Sequence, residues 1–595
     1  MKFNNYYVAD FENTTNGDST YVYGFGIMNV KDDEPVIVEN IEEAMKLLSK
    51  IPSKSCVYFH NFASYDGWII LYWLLNNGYK WTEDKNVNKR MTGIITDDRQ
   101  IYQLKVRFNK CYVEFRDSCK LIQGKLDYIG KNLKCETAKL CGTIDYDKMR
   151  EEGYRMTEEE KRYLRNDVVL LKEILLKIMQ MGNLIDHITA GAYAFSELKD
   201  SLYQDMMRVS DEDMEAKRLS KYYKKDMQEH YRYLFPEIPV EIDKDLRRAY
   251  RGGYCISWRG EYYEGNGVTL DFNSLYPSCM VNKHLPYGMP IYFTEGVPDC
   301  PCFVIHVLVR FKLKEGFLPF IQVKGNPRFV QNEYISNMVN EEIDLWLTSV
   351  DYKLFHDFYD VLYEEVIEGY KFKSYEHFFD GFVYRHYEGK KNAKDPVTKQ
   401  VCKIRLNSAY GKTGSRILRK SGSPYIGDRG NVSLELEETD KYPSATYIPV
   451  AEFITAYGRD KILRSAVKVE KNLCYIDTDS LHIKNTTEEE VSKIFELDPK
   501  ELGMLACEAE WSHGKWVRQK TYVELNVKED GKKLDKPKLN IKACGLTDEG
   551  KEILKGREDV FLAFDFGLKM EGVRLVKRTV EGGVTLCRSD WQIKG

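Results

Sequence analysis

The chain has 595 residues, a net charge of −4, 43% hydrophobic and 13% aromatic residues. That length passes the ~250–300 residues at which a single core stops growing, so several domains are needed, and the composition excludes a disordered chain. The apolar run Gly67 to Leu75 is far short of the ~20 residues of a membrane helix.

Fourteen cysteines include no Cys-x-x-Cys pair, and Cys300-x-Cys302 reads as structural. This points to a reducing compartment without zinc knuckles or a disulfide framework. Met1 to Asp10 has no signal-peptide core, so a soluble cytoplasmic protein is expected.

Residues 1–190 read as mixed α/β. Strands are predicted at Tyr6 to Phe11, Tyr21 to Met28, Val57 to Phe59 and Tyr112 to Phe115. A capping box, Thr157 with Glu160, opens a helix through Tyr163, Asp167, Leu171 and Ile178 that stops before Gly182. Asp211 to Glu229 is highly charged and predicted helical, and Tyr250-Arg251-Gly252-Gly253-Tyr254 forms a turn. Residues 283–377 hold strands and helices, with a Pro/Gly cluster at 286–301 that marks an inserted module. Residues 378–412 are helical and basic. From Gly381 to Lys420 eleven Lys or Arg accompany two acids, a local +9 that leaves −13 elsewhere. Such a patch on an acidic chain suits a polyanion, with a solvated helix face as the alternative. Residues 413–445, rich in Gly, Ser, Pro and charge, read as a loop-like insertion. Cys474 to Ile483 predicts a tight hairpin with Asp477 and Asp479 at its tip. Thr487 and Glu490 form another capping box, and the chain ends in a hairpin with turn Glu581-Gly582-Gly583.

Two acidic sets stand out. In the first, Asp10 and Glu12 share one face of the first strand. His60-Asn61-Phe62-Ala63-Ser64-Tyr65-Asp66 follows a second strand, and Tyr163 and Asp167 share a helix face. Asp10, Glu12, Asp66 and Asp167 can together hold two Mg²⁺ ions, with Tyr163 orienting the attacking water. Each piece alone is common on solvated edges. Their order resembles the DEDDy 3′→5′ exonuclease domain of proofreading DNA polymerases, which has an RNase H-like sheet.

In the second, Val268-Thr269-Leu270-Asp271 reads as a strand ending in an acid, the natural partner of Asp477 and Asp479. Two Mg²⁺ ions there would activate a primer 3′-hydroxyl and neutralise a triphosphate. Asp271, Asp479 and the Phe272 carbonyl are the expected ligands, with Asp477 supporting. Tyr276 would pack under a nucleotide sugar and exclude a 2′-hydroxyl; a core aromatic is the alternative. Between these acids, Lys399, Lys403, Asn407 and Tyr410 recur along one helical stripe suited to a triphosphate and a stacked base, with Gly411 open to a base pair and Lys391 a further cation.

These segments resemble the motifs of family B DNA polymerases: Asp-x-x-Ser-Leu-Tyr-Pro from Asp271, Lys-x-x-x-Asn-Ser-x-Tyr-Gly from Lys403 and Tyr-x-Asp-Thr-Asp-Ser from Tyr475. Tyr250-Arg251-Gly252-Gly253 is similar to the Tyr-x-Gly-Gly motif that couples the two activities, and Arg518-Gln519-Lys520-Thr521-Tyr522 to the Lys-x-Tyr motif that grips the primer terminus. The resemblance covers nearly the whole chain and is nearest to the protein-primed, phi-29-like phage replicases. It implies an α/β and α+β multidomain fold: an RNase H-like exonuclease (1–190), a right-hand palm (191–282 and 446–545), fingers (378–412) and thumb (546–595). It also implies two insertions, 283–377 contacting a terminal protein and 413–445 encircling DNA for processivity and strand displacement. Asn61 and Tyr65 match residues that hold single-stranded primer. Implied partners are primer-template DNA, single-stranded DNA, deoxynucleoside triphosphates and a terminal protein. The implied cofactor is Mg²⁺, with Mn²⁺ as a substitute, in a monomer in the infected host's cytoplasm.

The chain departs from the subgroup where a lysine is expected before the Ile-Asp-Tyr element, since Cys141 stands there, and Thr143 replaces a nearby acid. That bears on the efficiency of proofreading. Two competing readings are a nuclease with a non-catalytic, DNA-binding polymerase half, and a replication scaffold bound through the basic region. Loss of Asp271 or Asp479 would mark the first, and both are present; the second would not need both acidic sets with the lysine helix between them.

Overall fold

The computed structural model describes residues 3–14, 18–108, 111–140, 144, 148, 150–207, 227–323, 333–439 and 443–594. Cys141, Thr143 and most of the charged segment 211–229 lie outside them.

The strand Asn5–Asn13 pairs antiparallel with Val22–Asn29 and parallel with Ser55–Phe59, which pairs parallel with Cys111–Asp117. These four form the centre of an eight-stranded sheet. Ser55–Phe59 is buried throughout, as a strand covered on both faces must be. Its odd-numbered residues Val57 and Phe59, with Ala9 and Phe11, pack under the helix Asp66–Asn76. Cys56 and Tyr58, with Val8, pack under the helix Glu158–Met179. This is the RNase H-like layer arrangement, and the predicted capping box at Thr157 and Glu160 is present.

A second, seven-stranded antiparallel sheet forms the palm. Its order is Lys532–Ala543, Thr521–Glu529, Leu505–Arg518, Tyr263–Phe272, Ser480–Lys484, Leu473–Asp477 and Cys255–Ser257. The helix Ile448–Val467, almost wholly buried, belongs to the same core. The segment 283–377 builds a separate four-stranded sheet with the helix Ser349–Phe358. The basic segment forms two helices, Asp380–Lys391 and Pro396–Thr413. The second starts with Asp395 as N-cap and Pro396 in its first turn.

The insertion read as loop-like is instead a hairpin, Arg419–Ile426 with Val432–Thr439. Its Gly and Pro residues misled the reading: Gly427 and Gly430 make the turn, and Gly422 and Pro424 are tolerated in a two-stranded ribbon that is all edge. This hairpin and the terminal one, Lys569–Val580 with Gly583–Gln592, meet at Arg99, beside the eight-stranded sheet. Arg99 Nη2 donates to Val432 O at 2.9 Å and Thr579 Oγ1 at 3.0 Å. Arg99 and Lys577 both lie over the Trp68 ring, at 5.0 and 5.2 Å.

Among the described residues the cysteines are free thiols and no helix is long and apolar enough to cross a membrane.

Candidate active sites

Asp10 and Glu12 lie on the sheet face that meets the helix Glu158–Met179, and Asp66 opens the helix on the other face. Tyr163 and Asp167, one turn apart, complete the group. Glu12, Asp66, Tyr163 and Asp167 are buried. Burial, then Asp167, pushes the Asp10 carboxyl up to about 7. Glu12 and Asp66 rise well above the ordinary carboxylate range through burial and then the charge on Asp10. Burial also raises Asp167, against Lys139 and a hydrogen bond from Tyr163.

Lys139 is the cation that the sequence reading missed. Its Nζ lies 2.9 Å from Asp167 Oδ2 and 5.5 Å over the Tyr163 ring. It stands two residues before the position where a lysine was expected, so one ammonium reaches the carboxylates without Cys141. Asp167 Oδ1 is buried with no hydrogen-bond partner. Crowded, buried carboxylates with an orphaned oxygen have the oxygen chemistry that hard divalent cations require, while among the described residues no group of three or more ligating side chains is closed around an ion position.

Asn61 and Tyr65 flank this site. Asn61 has a left-handed φ of 79°. Its N–H and that of Ala63 donate to the two oxygens of Asp117, each at 2.9 Å. Asp117 thus pins the turn, a role the strand pattern did not reveal. Tyr65 Oη accepts from Asn13 Nδ2 at 3.0 Å.

In the palm, Asp271, one residue before its strand ends, lies opposite Ser480, the residue after Asp479. The hairpin tip is fixed by backbone bonds. Thr478, at φ 64°, donates to Tyr254 O at 2.8 Å, and Phe272 N–H donates to Asp479 O at 2.8 Å. Burial, then Asp479 and Glu508, pushes Asp271 up to about 8 against the pull of Lys403 and Lys390. Burial also raises Asp479. Asp477 differs: Lys520 pairs with it directly. Asp271, Asp479 and Glu508 are left short of positive charge in a cavity of about 910 Å³. Their mutual repulsion is of the kind that divalent cations relieve, and Glu508 was not anticipated. It sits on a strand whose own pattern carries no sign of the neighbouring hairpin.

On the nucleotide side, Lys399, Lys403 and Asn407 are exposed along the helix Pro396–Thr413. Tyr410 packs on Tyr276 at 5.0 Å. A Cβ at Gly253 would meet Tyr276 Oη at 2.5 Å and Thr478 Cγ2 at 2.7 Å, so glycine is required beside that ring. Nothing lies within 4 Å of a Cβ built on Gly411. Lys391 pairs with Glu388 at 3.8 Å. Its neighbour Lys390 instead donates to Ser274 Oγ at 2.9 Å beside the acids. Helix rotation of about 100° per residue separates the two.

Arg251, expected at DNA, turns into the protein. It is buried and donates to Trp346 O at 3.0 Å and Gln322 O at 3.2 Å, tying Tyr250 to Gly253 to the first insertion. Arg459, paired with Asp351 at 2.6 Å, donates to the carbonyls of Arg251 and Gly252. Lys520 stands in a left-handed turn after Arg518, and Tyr522 is buried against Tyr475 and His482 while lining the cavity.

Residues 48–150 and 139–496 match the family model for DNA polymerase type B, organellar and viral. The chain belongs to this family of DNA polymerases. This type B polymerase is 33% identical to the DNA polymerase of Bacillus phage phi29 over 612 residues, 99% of each chain. It is 27% identical to that of Streptococcus phage Cp-1 over 615 residues, 99% and 98% of the two. The solved structure of phi29 DNA polymerase complexed with primer-template DNA and incoming nucleotide superposes with a TM-score of 0.86 at 31% identity, over 99% of this chain and 100% of that one. The chain is therefore a DNA-directed DNA polymerase of the phi29-like, protein-primed group. The family includes a 3′→5′ exonuclease domain and uses divalent metal ions.

Proposed function

We propose that this polymerase extends a primer strand at Asp271 and Asp479 and removes mispaired 3′ nucleotides at Asp10, Glu12, Asp66 and Asp167. The observation that carries this reading is the pair of buried carboxylate clusters on two separate sheets, one with a single lysine, Lys139, and the other beside the lysine-bearing helix. Mg²⁺, two ions per site, would supply Lewis-acid activation of the attacking oxygen and charge neutralisation at the phosphate. Lys390, Lys399 and Lys403 hold the triphosphate, and Tyr276 backed by Tyr410 bounds the sugar. Lys520 moves from Asp477 to the primer phosphate when DNA arrives. In the nuclease site Tyr163 orients water and Lys139 steadies the carboxylates.

Residues 1–190 serve as nuclease, 191–282 and 446–545 as palm, 378–412 as fingers and 546–595 as thumb. Residues 283–377 receive a terminal protein that primes synthesis. The hairpin within 413–445 closes over DNA with the thumb. A basic cavity of about 750 Å³ beside it, lined by Lys244, Arg247, Lys412, Arg416, Arg419 and Lys420, supports passage of a single template strand and hence strand displacement. The enzyme works as a monomer in the host cytoplasm.

A 5′-labelled primer on a longer template tests both activities. Extension with deoxynucleotides and 3′ shortening without them are expected. Shortening in both lanes would favour the competing reading, a nuclease with an inert polymerase half.

A further inference from the structure

A second polar layer lies beneath the catalytic one. Thr269 and Asp271 share a face of one palm strand, Ser480 and His482 of the next, and Tyr522 and Glu524 of a third. The sheet curls so that Glu524, three strands away in order, reaches across its concave face to His482. Both side chains are fully buried.

Glu524 Oε1 collects three donors or donor candidates. His482 Nδ1 lies at 2.6 Å, Trp516 Nε1 at 3.2 Å and Thr269 Oγ1 at 3.4 Å. The other imidazole nitrogen, Nε2, lies 3.2 Å from Ser480 Oγ, which in turn reaches the Asp477 carbonyl at 3.4 Å. Ser480 is the register partner of both Asp271 and Asp477. A continuous chain therefore runs from Glu524 through His482 and Ser480 to the backbone that carries the catalytic acids.

A buried pair of this kind is often replaceable by apolar residues without loss of stability. Its value here is orientation. Glu524 Oε2 is buried without a partner, so the carboxylate is held through Oε1 alone, by three neighbours on three strands, and the chain of contacts that starts there ends at the hairpin. We propose that Glu524, acting through His482 and Ser480, is a positioning residue for the catalytic hairpin, an inference that rests on the polymerase reading of Asp271 and Asp479.

Three variants test it. Glu524→Gln keeps the acceptor oxygen, Glu524→Leu removes it at similar size, and Ser480→Ala cuts the final link without exposing a buried charge. Single-nucleotide insertion on a primer-template gives kcat and KM for the deoxynucleotide. Degradation of single-stranded DNA by the same preparations reports integrity of the chain, since that site lies on the other sheet. Glu524→Leu is expected to lower kcat at least ~10-fold with KM within about twofold, an interaction felt in the transition state. Glu524→Gln should stay within about threefold of the parent, and Ser480→Ala should lose about 3–10-fold in kcat. Wild-type kcat in Glu524→Leu, a Gln variant as impaired as the Leu variant, or a loss confined to KM would each overturn the assignment. If Glu524→Leu also loses degradation, it has misfolded and Ser480→Ala decides: unchanged kcat there overturns the route. A parent chain that degrades but does not extend would overturn the polymerase reading itself, and this inference with it.

Discussion

Lys139 and Asp167 form an ion pair at 2.9 Å on the floor of the nuclease site, and the same ammonium stands over the Tyr163 ring. It opposes the burial and repulsion that raise Asp10 and Glu12 and the burial that raises Asp167. We predict that Lys139→Ala lowers 3′→5′ degradation at least ~10-fold, about 1.4 kcal/mol of barrier, and leaves primer extension unchanged. Degradation at the parental rate would show that the lysine is structural only.

The position of that lysine marks the limit of what the sequence discloses. Asp10, Glu12 and Asp66 were legible because each ends or follows a patterned strand, and Asp167 because a capping box fixes its helix. Lys139 comes from a segment without regular structure, where spacing says nothing of reach. Glu508 and Glu524 were hidden for a different reason. Both depend on the curl of a seven-stranded sheet whose partners lie far apart in the chain. Arg251 misled because a cation in a glycine turn looks solvent-facing, whereas carbonyls of the first insertion enclose it.

Separate sites predict separable losses. Asp479→Ala should abolish synthesis and spare degradation of single-stranded DNA. The Asp10→Ala, Glu12→Ala double variant should do the converse. Loss of both activities in either variant would mean a misread site or a misfolded chain, which a thermal melt distinguishes.

Tyr276 is held between Tyr410 and the backbone of Gly253, with Gly458 behind it. The ring therefore has no room to retreat, and under the proposed reading a ribose 2′-hydroxyl would meet it. Tyr276→Val is expected to raise the ratio of ribonucleotide to deoxynucleotide insertion at least ~10-fold, the scale of one steric contact in a specificity site. An unchanged ratio would assign discrimination elsewhere.

Arg99 joins three parts of the chain that are distant in sequence, and Asn431 Nδ2 adds a direct bond to Thr579 O at 3.3 Å. Two cations share the Trp68 face, so the junction also depends on cation–π attraction. Arg99→Ala should loosen the closure between the two hairpins while leaving the palm untouched. With a trap for free enzyme, the median product length per binding event is predicted to fall several-fold at an unchanged rate of single-nucleotide insertion. Equal product lengths would mean that the junction does not retain DNA.

The carboxylate clusters make stability depend on pH and metal together. Burial and mutual repulsion raise Asp10 to about 7 and Asp271 to about 8, from an ordinary value of 3.8. For a carboxyl raised on folding, the stabilising protonation is fully present below the unfolded value and is lost as pH rises through the folded one. The metal-free chain should therefore lose stability progressively from about pH 4 up to about pH 7 to 8, above which these groups are ionised in the folded chain as well. Divalent cations bind the ionised form, so their stabilisation grows as the folded groups ionise near pH 7 to 8, and their uptake below that range releases protons. Thermal melts with a chelator and with Mg²⁺ should show a Tm gap that is small at pH 6 and wide at pH 9. A gap of the same size at both pH values would mean that the clusters are already ionised without metal, and that Lys139, Lys390 and Lys403 balance them more fully than their placement indicates.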